Sequence, residues 1–114
     1  MAFLALTVAA CGSASSQTSS VNLGSAVQQD CTSVADALAN GPDPDADPLG
    51  YAQAQVLPLR HLTIGDAALH QAVLTLAGAY ETFTTSTSST RAASTATVTK
   101  AENEVNKICP QAAQ

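Results

Sequence analysis

Between residues 25 and 109, apolar side chains recur at intervals of three and four, the spacing that gathers them on one side of an α-helix. Val27, Cys31, Val34 and Leu38 make the first such stripe. Ser25 and Gln28 read as a capping box at its start, the serine hydroxyl taking an orphan N–H and the glutamine reaching back. Asn40-Gly41-Pro42 ends it, since glycine accepts the left-handed conformation after a helix and proline cannot continue one. Asp47-Pro48 reads as the N-cap and first residue of a second helix. Its stripe is Leu49, Ala52, Val56 and Leu59, and Pro58, which lacks a backbone donor, is expected to kink or end it. Asp66 is the expected N-cap of a third helix, whose Leu69, Val73, Leu76, Tyr80 and Phe83 form the most regular heptad of the chain. Thr84 to Thr90 holds only serine and threonine, cannot bury a face, and predicts a loop. From Arg91 the helical pattern returns with Val98, Ala101, Val105 and Ile108. Lys100 and Lys107 lie toward its C-terminal end, where the helix dipole favours cations, and Pro110 closes it. The predicted fold class is all-α, a small bundle of about four helices over residues 25–114.

Residues 1–24 have a different texture. Ala2 to Ala10 is almost wholly apolar and ends in small residues, which reads as a targeting segment. It is about half the roughly 20 residues that span a bilayer, so it is not expected to cross one. Val8-Ala9-Ala10-Cys11 resembles the lipobox of bacterial lipoproteins. Small residues suit a signal peptidase that grips extended backbone closely, and the cysteine supplies a thiolate that a lipid donor can alkylate. The resemblance implies removal of residues 1–10 and acylation of Cys11, with Val8, Ala9 and Ala10 as the recognition residues. No Lys or Arg precedes the apolar run, so either the start lies upstream of Met1 or the segment works with the amino terminus alone. The other readings of these residues are an ordinary cleavage site near Ala10 and a buried N-terminal strand. Gly12 to Ser20 is small and polar without apolar periodicity, and residues 11–24 are read as a tether holding the folded body off the headgroups. Two or more acyl chains give stable attachment, at about 0.8 kcal/mol per buried methylene.

With Cys11 assigned to lipid, Cys31 and Cys109 remain as an even pair, oxidised in an extracytoplasmic setting. If the last helix runs antiparallel to the first, its end lies beside the opening turns that hold Cys31. Periodicity and cysteine pairing therefore predict the same Cys31–Cys109 staple. Neither cysteine has a CxxC partner or a neighbouring histidine, which speaks against a catalytic or metal-binding thiol.

Composition narrows the partners. Charged residues are 11% of the chain, against roughly 25% in an average domain. The net charge is −5, and the basic residues, Arg60, Arg91, Lys100 and Lys107, make no phosphate-tracking stripe, so nucleic acid is excluded as a partner. Tryptophan is absent, and once Phe3 leaves with the signal segment the body keeps only Tyr51, Tyr80 and Phe83 as aromatics.

Candidate chemistry is sparse. Asp43, Asp45 and Asp47 alternate as calcium ligands do, but an EF-hand loop from Asp43 would need glycine at Pro48 and glutamate at Ala54. They stand as candidates for weak calcium binding, beside the plainer reading of a solvated turn whose last aspartate caps a helix. His61 and His70 are nine apart with no metal-ligand pattern. No serine stands in a GxSxG context, no glycine cluster forms a phosphate loop, and Glu102 and Glu104 are expected to be exposed. These absences predict a protein without catalytic residues, cofactor or resident metal, and not an enzyme.

The lipobox, the Ser/Thr-rich tether, the alanine-rich body and the terminal Asn106-Lys107-Ile108-Cys109-Pro110 together resemble small actinobacterial lipoproteins of unknown function, including ones carried by phages. That resemblance implies a protein anchored by lipid to the extracytoplasmic face of the cell membrane. Two functions are expected from it and from the composition. One is a non-enzymatic interaction module contacting another envelope protein, or interfering with a later phage infection. The other is a carrier of a small apolar ligand or lipid in a cavity between the helices. A carrier requires a cavity of several hundred Å³; an interaction module requires a contiguous exposed apolar patch.

Overall fold

A computed structural model describes residues 24–113. The expected signal segment, with Val8, Ala9, Ala10 and Cys11, and the tether as far as residue 23 lie outside the described residues. Four helices follow one another: α1 (Ser25–Ala39), α2 (Pro48–His61), α3 (Ala67–Thr84) and α4 (Arg91–Ile108). No described residue is in a strand, and no helix among the described residues is long and apolar enough to cross a membrane.

Local chemistry sets most of the boundaries. Asp47 caps α2 by accepting from the Gly50 N–H at 3.0 Å, with Pro48 at the first helical position. The carboxylate lies so close to Gly50 that a side chain there would collide with it. Asp66 caps α3 by accepting from the Leu69 N–H at 2.9 Å. Gly41 takes φ +98° two residues beyond the end of α1, a conformation only glycine adopts at no steric cost.

Three expectations need correction. The N-cap of α1 is Gly24, not Ser25: the Gln28 N–H reaches the Gly24 carbonyl at 3.0 Å and Ser25 is already helical. Pro58 does not end α2, which continues to His61. Its ring deprives the Ala54 carbonyl of a helical partner, but Ala54 and Pro58 are both exposed, and water can serve that carbonyl instead. Thr84 belongs to α3, its hydroxyl bonding back to the Glu81 carbonyl at 2.6 Å.

α2 and α4 pack along α3, and α1 packs chiefly against α2. The stripe predicted for α3 is buried throughout, as Leu69, Val73, Leu76, Tyr80 and Phe83. Val34 and Leu38 of α1, Ala52 and Leu59 of α2, and Ala101 and Val105 of α4 share one buried core with it. α1 has the thinnest apolar contact with the rest, and polar and covalent ties supplement it. The Asp30 carboxylate accepts from the Gly65 and Asp66 N–H groups at 3.1 and 3.4 Å, and Cys31 is disulfide-bonded to Cys109 with a Cα–Cα distance of 5.4 Å. After α4 the chain folds back: the Asn106 side-chain amide takes both the N–H and the carbonyl of Ala113, and Ala113 is buried as a result.

Candidate functional site

A groove of about 470 Å³ opens between α2, α3 and α4, with the α1–α2 loop at its rim. Tyr51 and Ala52 come from the first turns of α2, and Tyr80 and Phe83 from the end of the α3 stripe. Arg91, Thr95, Val98, Thr99 and Glu102 come from one side of α4, spaced by three and four so that they share a face. Pro44, Asp45 and Pro48 complete the rim. All three aromatic residues between 24 and 113 therefore line one groove.

The polar groups of the groove are mostly committed. Tyr51 meets Tyr80 edge to face with centroids 5.8 Å apart, and its hydroxyl donates to the Leu38 carbonyl at 2.7 Å. The Tyr80 hydroxyl donates to Glu102 Oε2 at 3.3 Å. Burial raises the pKa of both phenols, and the nearby Glu102 charge raises them further, so both stay protonated donors. At the other end Arg91 lies over the Phe83 ring, 5.1 Å from its centroid, and gives its Nε–H to Ser86 Oγ at 2.7 Å and an Nη2–H to the Ser86 carbonyl at 3.2 Å. The Ser/Thr loop thus positions a cation at the groove end. Glu102 is different. Desolvation by burial raises its pKa, the Tyr80 hydrogen bond only partly offsets this, and no cationic side chain reaches it among the described residues.

Sequence reasoning placed Glu102 in solvent, which the structure corrects: it is half-buried between α3 and α4. Its register position beside Ala101 put it at the edge of the apolar stripe, and the stripe alone cannot say which edge faces α3. Glu104 is exposed as expected and pairs with Lys107 at 2.8 Å, which holds its carboxyl below the usual range. Tyr51, Tyr80 and Glu102 were not linked by any sequence motif. The available signal was Tyr80 and Phe83 ending the α3 stripe, opposite a polar face of α4.

The calcium candidates do not converge. Asp43 Oδ1 accepts from the Asp45 N–H at 2.8 Å, Asp47 is occupied as the α2 cap, and no three acidic, histidine or cysteine side chains among the described residues come together as a metal site. Asp45 instead faces the groove. His61 is exposed at the end of α2 and His70 half-buried on α3. Compared with models of protein families, with curated proteins and with solved structures, the chain matches none.

Proposed function

We propose that the chain is a lipid-anchored extracytoplasmic binding module, attached through Cys11 to the outer face of the cell membrane, that captures a small ligand in the α2–α3–α4 groove without transforming it. The observation that carries the binding reading is the gathering of Tyr51, Tyr80 and Phe83 in that groove. Tyr80 and Phe83 are core residues at 3% and 7% exposure and Tyr51 is half-buried, so the three rings form the apolar floor of an opening of about 470 Å³, a size that suits a small ligand. Docking of another envelope protein is less favoured, because Leu57 is the sole exposed large hydrophobic among the described residues.

The topology suits an anchored receptor. The chain enters the bundle at Gly24, at the end that carries the Cys31–Cys109 bridge, while the groove lies toward the opposite end, at the start of α2 and the end of α3. A ligand would be met away from the lipid. Two measurements test the reading. Cys11→Ala is expected to move the protein out of the membrane fraction, and its retention there would end the anchor. A small-molecule fragment screen read by NMR is expected to shift resonances of Tyr51, Tyr80, Phe83 and Val98 together, and Thr95→Trp, which fills the groove from an exposed position, to remove those shifts; hits scattered elsewhere would overturn the site.

A further inference from the structure

The donors and acceptors of the groove are unequally spent. Both phenol protons are given away inside the protein, to the Leu38 carbonyl and to Glu102, and Arg91 has turned two N–H groups onto Ser86. Near Tyr51 and Tyr80, what remains toward the opening is mainly acceptor capacity, the free lone pairs of the Glu102 carboxylate and the Asp45 carboxylate at the rim, with the Thr99 hydroxyl on the same face of α4, while the remaining Arg91 N–H groups lie at the far end. Glu102 receives one hydrogen bond, from Tyr80, and is a half-buried carboxylate without a cation among the described residues. A desolvated carboxylate gains most from a cationic partner brought by a ligand. The aromatic floor adds to the same preference, because ring faces attract cations, as Arg91 over Phe83 already shows at the other end.

We infer that the groove takes an organic ammonium ion carrying an apolar body, with the cationic nitrogen at Glu102 and the Tyr51–Tyr80 pair and the body along Val98 toward Phe83. This rests on the groove being a binding site, as proposed above. Arg91 and Glu102 are eleven residues apart on α4, about 16 Å along its axis, which leaves the ammonium end clear of the guanidinium. The net charge of −5 favours approach of a cation.

Three probes of one shape separate the possibilities: 4-phenylbutylamine, 4-phenylbutanol and 4-phenylbutyrate, titrated by calorimetry into the full chain at neutral pH. The amine is expected to bind about tenfold more tightly than the alcohol, and the carboxylate more weakly than either. Glu102→Gln should bring amine and alcohol to near-equal affinity. Asp45→Asn, at an exposed loop position where folding is not at stake, should weaken the amine more than the alcohol. Equal binding of amine and alcohol by the unaltered chain, tightest binding of the carboxylate, or full amine preference in a folded Glu102→Gln variant would overturn the ammonium assignment while leaving the groove a binding site. No binding of any probe at millimolar concentration would overturn both readings.

Discussion

Cys31, on the second turn of α1, is bonded to Cys109, the C-cap of α4, and the bridge closes 78 residues. Only Val34 and Leu38 of α1 are buried, while Val27 and Cys31 are half-buried, so apolar contact alone holds this helix weakly. Cross-linking a loop of that length removes denatured-chain entropy equivalent to about 4.5 kcal/mol, an upper value that residual denatured structure lowers. The double variant Cys31→Ala, Cys109→Ala is expected to lose about 2–4 kcal/mol in urea denaturation, with α1 amides exchanging first. A loss below about 1 kcal/mol, or α1 protection equal to that of α3, would show that α1 docks without the staple.

The bridge was legible because two local signals coincided, a helical stripe that turned Cys31 inward and a proline that ended α4 at Cys109. The caps at Asp47 and Asp66 were legible for a similar reason: a carboxylate three residues before the N–H it accepts is a local arrangement that needs no tertiary contact. What was not legible depends on how helices face one another. Whether Glu102 meets solvent or Tyr80 is decided by the rotation of α4 against α3, and the apolar stripe fixes that rotation only to within about a residue's width. That α2 runs on past Pro58 was not legible either, because the cost of a proline in a helix depends on whether water reaches the freed carbonyl, which burial decides.

Asp66 is half-buried, and its carboxylate holds the Leu69 N–H while the backbone N–H groups of Gly65 and Asp66 are held by Asp30. Asp66→Ala should cost about 1 kcal/mol in equilibrium unfolding, within the usual 0.5–2 kcal/mol for a lost N-cap. Asp66→Asn, which keeps an acceptor oxygen, should recover most of it. If alanine and asparagine variants unfold at the same denaturant concentration, the cap contributes nothing.

Gln55 is 1% exposed in the middle of α2, where the apolar pattern alone would not place a polar residue inside. Its Nε2 donates to the Asn40 carbonyl at 2.5 Å, tying α2 to the end of α1, but its Oε1 has no partner among the described residues. A buried unpaired amide oxygen costs about 1–3 kcal/mol, comparable with what the donated bond returns. Because Asn40 is exposed, its carbonyl can be hydrated once released. Gln55→Met, of similar length, should therefore leave stability unchanged or raise it by up to about 1 kcal/mol, whereas Gln55→Ala should lower it through the cavity. A loss above about 1.5 kcal/mol for methionine would mean that the Asn40 bond outweighs the orphaned oxygen.

The burial of Glu102 sets the sign of its contribution to stability as pH changes. Burial raises its folded-state pKa above the ordinary 4.5, so between 4.5 and the folded value the native protein holds a proton that the unfolded chain has released. Stability from this group is then greatest below pH 4.5 and declines as pH rises through the folded pKa, the reverse of a salt-bridged carboxylate. The groups facing it, Tyr80 and Tyr51, have raised pKa values and remain neutral throughout that window, so they add no slope. Glu104, lowered by Lys107, works in the opposite sense but is exposed, and Glu102 is not among the groups that shift it. Comparing the unaltered chain with Glu102→Gln in urea from pH 4 to pH 7.5 isolates the effect. The variant should gain relative stability as pH rises, while losing its preference for the amine over the alcohol. Stability differences that do not vary with pH would sink the titration account. A variant that is more stable at neutral pH and poorer at holding an ammonium ion would identify Glu102 as a residue kept for binding at the expense of the fold.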